Sequence, residues 1–278
     1  MDVSAVAPAS GIPVAARHCR AFVELTDVSL SFGGPDGLLA LDRVSVEVGE
    51  GEYVAVVGPS GCGKSTLMKL VTGLLPPTSG TVVVDGTIVT RPIKCVGMAF
   101  QNSTLMPWRT TLLNVMLPLE IVQPFKRERR RNYEKHKARA ERLLEAVGLG
   151  SFGSKYPWQL SGGMQQRANL CRALVHEPKL LMLDEPFAAL DAFTREELWV
   201  IMQELWMRQK FSSVLVTHDL REAVYLADTV YVLSKRPGKV ICRKQIDLPR
   251  PRTIADTFKS HFVDIVHDLR DKIMEARA

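Results

Sequence analysis

Residues 53–66 read YVAVVGPSGCGKST, and this stretch decides the fold. Residues 53–57 form a continuous β-prone apolar run of the kind buried in parallel sheets. Residues 58–66 match G-x-x-x-x-G-K-[ST], and the pattern that follows, with Leu67, Leu70, Val71 and Leu74, has helical spacing. Glycine lets the backbone wrap closely around an anion, so that N–H groups and a helix N-terminus face it. The loop Gly58, Pro59, Ser60, Gly61, Cys62 and Gly63 therefore reads as a phosphate cradle closed by Lys64, Ser65 and Thr66. Lys64 would reach the β- and γ-phosphates of a nucleotide, and the Ser65 hydroxyl would take a Mg²⁺ position. A chance glycine-rich turn lacks the strand before it and the helix after it.

A strand–loop–helix unit needs a sheet around it. Residues 180–183, 213–217 and 229–233 are short apolar runs separated by helical patterns, which predicts further parallel core strands. Residues 22–32 and 44–48 alternate apolar and polar side chains, and Asp85-Gly86 between 82–84 and 88–89 signals a hairpin. The early part of the chain is thus strand-rich. Residues 114–147 read as helical and polar. A Pro-rich LPRPR at 248–252 precedes a last helix with Ile254, Phe258, Phe262, Ile265, Leu269 and Ile273 at helical spacing.

Composition limits the remaining choices. With 278 residues and 46% apolar side chains, the chain has ample material for a core and is not disordered throughout. The net charge of +6 is carried by residues 126–142 (KRERRRNYEKHKARAER), and the rest of the chain is balanced. Cys19, Cys62, Cys95, Cys171 and Cys242 are scattered, odd in number and without metal-ligand spacing, which argues against a disulfide scaffold or a zinc site. No stretch is long and apolar enough to span a bilayer. Residues 1–21 lack the basic and apolar regions of a leader and read as a flexible tail.

A phosphate loop does not by itself choose a chemistry. In LLMLDE at 180–185, two carboxylates end a buried strand. Asp184 is placed to hold Mg²⁺ and Glu185 to polarise an attacking water; the plainer reading is that the pair caps the turn that Pro186 enforces.

The stretch LSGGMQQR at 160–167 completes the pattern: over residues 22–252 the chain resembles the ATP-binding cassette (ABC) transporter ATPases. The resemblance implies an α/β P-loop NTPase fold, with a RecA-like core, an antiparallel β subdomain and an inserted α-helical subdomain at about 102–175. Residues 253–278 would be a C-terminal amphipathic helix packed on its own domain. The resemblance also implies that Ser161, Gly162 and Gly163 complete the ATP site of a second subunit, so that one chain carries two half-sites. By the same likeness Gln101 in AFQN contacts Mg²⁺ or the lytic water, and His218 in LVTHD touches the γ-phosphate. Asp191 in AALD acts across the dimer interface, and Phe32 stacks on adenine. Taken singly, Ser161 and Asp191 read as helix N-caps and Phe32 as a core residue. Two departures stand out: Ala188-Ala189 replaces a common serine, and Met164 a common glutamine. Neither removes a group that hydrolysis needs.

Within the family, LMPWRTTLLNVMLPLE at 105–120, SKRPGKV at 234–240 and LPRPR resemble the nitrate, sulfonate and taurine importer ATPases. That resemblance implies a homodimer at the cytoplasmic face of a bacterial inner membrane, with two permease subunits and a periplasmic or lipoprotein solute-binding protein. It would use ATP and Mg²⁺ to drive uptake of a small anionic solute. Trp108 is either a permease contact or a core residue of the helical subdomain. ABC ATPases of lipid transport or envelope remodelling share the same site. DNA-associated members split their half-sites with a long coiled coil that has no room between Lys64 and Ser161, so no nucleic acid is expected. The basic run reads as a solvated helix face or as a surface for anionic lipid headgroups.

Overall fold

The computed structural model describes residues 21–33, 37–128, 130–188 and 190–276. The expected tail, apart from Ala21, lies outside the described residues, as do Arg129 of the basic run and Ala189. In chain order the strands are β1 (Ala21–Phe32), β2 (Leu38–Gly49), β3 (Tyr53–Val57), β4 (Ser79–Val84), β5 (Thr87–Ile88), β6 (Val96–Ala99), β7 (Leu180–Asp184), β8 (Ser212–Thr217), β9 (Thr229–Leu233) and β10 (Val240–Gln245). The α-helices are α1 (Lys64–Val71), α2 (Thr111–Ile121), α3 (Phe125–Glu128), α4 (Tyr133–Ala146), α5 (Gly162–Leu174), α6 (Ala192–Gln209), α7 (Leu220–Leu226) and α8 (Ser260–Glu275). No helix among the described residues is long and apolar enough to cross a membrane.

Two sheets organise the molecule. One is antiparallel in the order β2-β1-β4-β5. The other has the order β10-β9-β3-β8-β7-β6 and is parallel except for its β9–β10 pair. Strand β3 is buried on both faces, as its unbroken apolar run predicts. Tyr53, Ala55 and Val57 pack toward the core shared with α5 to α8, while Val54 and Val56 pack toward α1 and the antiparallel sheet. The phosphate loop therefore leaves the most enclosed strand of the molecule. At the expected hairpin, Asp85 (φ 50°) and Gly86 (φ 71°) form the two-residue connection with Val84 paired to Thr87.

Three expectations need correction, and two strands had no counterpart among them. Leu74 lies beyond α1 and is half-exposed, because Gly73 at φ 73° ends the helix first. Residues 114–147 form three helices, with α2 ending before Gln123-Pro124 and α4 starting only at Tyr133. Strands β6 and β10 were not anticipated. The last helix begins at Ser260, because 254–258 form a 3₁₀ turn. In that turn the Asp256 carboxylate accepts hydrogen bonds from the Thr253 N–H at 2.6 Å and hydroxyl at 2.8 Å. Phe262, Ile265 and Leu269 of α8 are buried against the core.

The LPRPR stretch is a structural clamp. Arg252 is buried and donates to the carbonyls of Val224, Tyr225 and Ala227 at 2.7, 3.1 and 2.7 Å, satisfying the C-terminus of α7. Burial pulls its pKa down to about 10. Arg250 pairs with Asp228 at 2.9 Å and lies over the Trp206 ring. The clamp thus holds the C-terminal end of α7, the helix whose other end begins two residues after His218.

Candidate active site

A cleft of about 580 Å³ is lined by Phe32, Leu38, Ala40, Ser60, Gly61, Gly63, Lys64, Ser65, Thr66, Gln101, Glu185, His218 and Arg236. Its floor is the loop between β3 and α1. Gly63 sits at φ 105°, and a Cβ there would come within 2.6 Å of Leu41 Cδ2. Gly58 is equally confined, with the Leu233 carbonyl 2.8 Å from where its Cβ would be. Only glycine lets the loop approach β2 and β9 this closely. Lys64 is buried, and its Nζ donates to the carbonyls of Gly58 and Pro59, both at 2.9 Å. Those bonds hold the ammonium inside the loop. Cys62 is buried beneath it, and burial pushes its thiol pKa up.

The acidic residues come from the neighbouring strand ends. Ser65 Oγ donates to Asp184 Oδ1 at 3.2 Å, and burial raises the Asp184 carboxyl pKa, with the Ser65 bond opposing. A hydroxyl and a desolvated carboxylate beside a phosphate loop are hard oxygen donors, and they fit Mg²⁺ held largely by phosphate and water oxygens. Among the described residues no cluster of three or more His, Cys, Asp or Glu side chains could hold a metal by itself.

Glu185 follows β7 with φ 46°, and its N–H donates to the Val216 carbonyl of β8 at 2.8 Å. This backbone turn points the carboxylate into the cleft. Gln101 Nε2 donates to Glu185 Oε2 at 3.3 Å, and His218 Nδ1 lies 3.2 Å from the same oxygen. Two residues far apart in sequence thus meet on one carboxylate. Phe32 also lines the cleft and is 44% exposed, which rules out the core reading.

Ser161, Gly162, Gly163 and Asp191 do not line this cleft. Ser161 caps α5 by accepting from the Met164 N–H at 3.2 Å, and Ser161 and Gly162 are exposed. A Cβ on Gly162 would meet nothing within 4 Å. Asp191 is also exposed; it caps α6 by accepting from the Thr194 N–H at 3.0 Å, which holds its carboxyl pKa below the usual range.

Several linking residues escaped the motif reading. Gln166 and Asn169 of α5 both donate to the Phe100 carbonyl at 3.3 Å, and Ser103 donates to Gln165 at 2.8 Å. The Ser161 helix is thereby tied to the segment carrying Gln101. Arg195 bridges Asp219 at 3.1 Å and the Leu190 carbonyl at 3.0 Å, linking the Asp191 turn to the residue after His218. Only the QQR of LSGGMQQR hinted at the first link. Trp108 is 71% exposed and so is not a core residue.

The chain is similar to known proteins over most of its length. The ABC transporter family profile matches residues 41–188. An uncharacterized ABC transporter ATP-binding protein of Methanocaldococcus jannaschii is 43% identical over 238 residues, covering 85% of this chain and 86% of that protein. The nitrate import ATP-binding protein NrtD of Synechocystis sp. is 43% identical over 228 residues, covering 82% and 83%. The taurine import ATP-binding protein TauB of Yersinia pestis is 42% identical over 211 residues, covering 76% and 80%. Among solved structures, the ATP-binding cassette MJ0796, a dimer in a post-hydrolysis state bound to ADP and Pi, superposes with a TM-score of 0.70. The two share 30% identity, over 82% of this chain and all of that one. By the extent of the profile match and of these relatives, the chain belongs to the ABC transporter family, as one of its ATP-binding proteins.

Proposed function

We propose that this protein is the ATP-hydrolysing subunit of a bacterial ABC importer, working as a homodimer with two permease subunits and a solute-binding protein to take up a small anionic solute. The observation that carries the ATPase reading is the Glu185 carboxylate, contacted by both Gln101 and His218 at the mouth of the Lys64 cleft. The nitrate and taurine relatives and the 105–120, 234–240 and 248–252 stretches support the importer reading and the class of solute. The same relatives support a place at the cytoplasmic face of the inner membrane, held there by the permeases.

The residues act as follows. Nucleotide phosphates enter the loop, and Lys64 exchanges its carbonyl partners at Gly58 and Pro59 for phosphate oxygens. Ser65, Asp184 and Gln101 are the residues to hold Mg²⁺, which when bound neutralises charge on the phosphate oxygens. Glu185 accepts a proton from the water that attacks the γ-phosphorus. His218 turns from Glu185 toward the γ-phosphate, and Gln101 orients the water. Phe32 stacks on adenine. Ser161, Gly162 and Gly163, at the start of α5, bind the nucleotide of a second copy, with Asp191 at the junction.

Replacing Glu185 by Gln tests this reading. The variant should lose steady-state phosphate release and accumulate as an ATP-bound dimer on size exclusion; turnover at the wild-type rate would refute the role.

A further inference from the structure

The turn between β9 and β10 places a cation over the phosphate loop. Strand β9 pairs with β3 and ends beside Gly58, so the chain leaves it alongside the loop. Ser234 closes the turn, its Oγ accepting from the Lys239 N–H at 3.0 Å. Gly238 fixes the turn to β2: its N–H donates to the Ala40 carbonyl at 2.9 Å, and its carbonyl accepts from Asp42 N–H at 3.0 Å. A Cβ at Gly238 would lie 2.2 Å from the Cys62 carbonyl, so the turn is wedged between β2 and the loop. Lys239 adds an ion pair with Asp42 at 2.9 Å.

Arg236 is carried at the exposed apex of this anchored turn. Its Nε donates to the Gly61 carbonyl at 3.3 Å, and the side chain lines the cleft with Phe32, Leu38 and Ala40. Among the described residues its terminal nitrogens have no hydrogen-bond or carboxylate partner. The turn leaves β9, which flanks β3 on the side opposite to β8 and β7, the strands that His218 and Glu185 follow. A guanidinium fork there meets phosphate oxygens upstream of the γ-phosphate, while the attacking water belongs at the Glu185 end.

We propose that Arg236 is a nucleotide-binding residue that pairs with the α- and β-phosphates of the bound nucleotide. The proposal rests on the ATP reading above. It distinguishes Arg236 from Lys64, which lies inside the loop, and from the Ser161 segment, which would act on a second copy's nucleotide.

Titration of ATP and of ADP into wild type, Arg236→Ala and Arg236→Gln tests it. Both alanine and glutamine should weaken ATP and ADP alike by about tenfold, the effect of losing one charge-assisted phosphate contact. The kcat/KM for ATP hydrolysis should fall in step with the loss of ATP affinity, as for a contact made in both ground and transition states. Glutamine retains an N–H donor for the Gly61 carbonyl without the charge, so wild-type affinity in Arg236→Gln would reduce Arg236 to a brace for the loop and overturn the proposal. Unchanged ADP affinity in Arg236→Ala would overturn it too. Failure of the wild-type protein to bind either nucleotide would instead defeat the ATP reading itself.

Discussion

His218 Nδ1 lies 3.2 Å from Glu185 Oε2, across the ends of the adjacent strands β8 and β7. The pair is held by its supports. The Glu185 N–H bonds to Val216, two residues before His218, and Asp219 caps α7 by accepting from the N–H groups of Arg221 and Glu222. Replacing His218 by Ala should therefore leave the backbone intact and remove one group that positions the reacting atoms. The expected result is a fall in kcat of about 100-fold, typical for losing one preorganised donor, with ATP affinity changed only severalfold. Single-turnover hydrolysis beside equilibrium binding separates the two; an affinity loss without a rate loss would assign His218 to binding alone.

Glu222 begins the buried face of α7, and desolvation, assisted by the nearby Asp219 charge, raises its pKa well above the usual value. The folded protein therefore keeps a proton that the unfolded chain gives up. The sign follows from linkage: this group's contribution to stability is fully present below its unfolded pKa and is lost as pH rises through the folded one. Glu222→Gln should raise the melting temperature, and by more at pH 8 than at pH 5. A gain independent of pH would show that Glu222 is not protonated in the folded state.

The basic run lies on α3, α4 and the segment between them. Lys126, Arg127, Arg130 and Arg131 are exposed, with Ile121 and Tyr133 exposed nearby, whereas Arg139 is drawn into a pair with Glu177 at 2.6 Å. Changing these four to Gln should weaken sedimentation with phosphatidylglycerol vesicles, at about 1 kcal/mol per charge near the surface, and leave ATPase activity in solution unaltered. Equal vesicle binding by the variant would return the run to an ordinary solvated face.

Local patterns in the sequence disclosed the parts of the site that lie along short contiguous stretches. The cradle from Gly58 to Thr66 needs only one strand, one loop and one helix start, so spacing alone displays it. The burial of β3 on both faces was equally plain from five apolar residues. Arg236 was not legible, because its place over Gly61 depends on pairing between β3 and β9 and on the anchor of Gly238 to Ala40. The bonds of Gln166 and Asn169 to the Phe100 carbonyl join residues more than sixty positions apart and leave no periodic trace. Strands β6 and β10 left no signal because VGMA is short and VICRKQ, on a sheet edge, runs three apolar and then three polar residues without alternating. The start of α8 was misplaced because apolar spacing continues through 254–258, while the Asp256 bonds to Thr253 set a separate turn there.

The central claim is that each ATP site is built from the Lys64 cleft of one chain and the Ser161 helix of another. Dimers mixed from a Lys64→Ala chain and a Ser161→Arg chain test it most directly through their rate of ATP hydrolysis. Each variant alone should be inactive. In the mixed dimer one site combines both defects and the other combines the intact Lys64 and Ser161 segments, so hydrolysis should reappear at up to about half the wild-type rate if the two sites turn over independently. Mixed dimers as inactive as their parents, at ATP concentrations that saturate the intact Lys64 loop, would contradict the shared site.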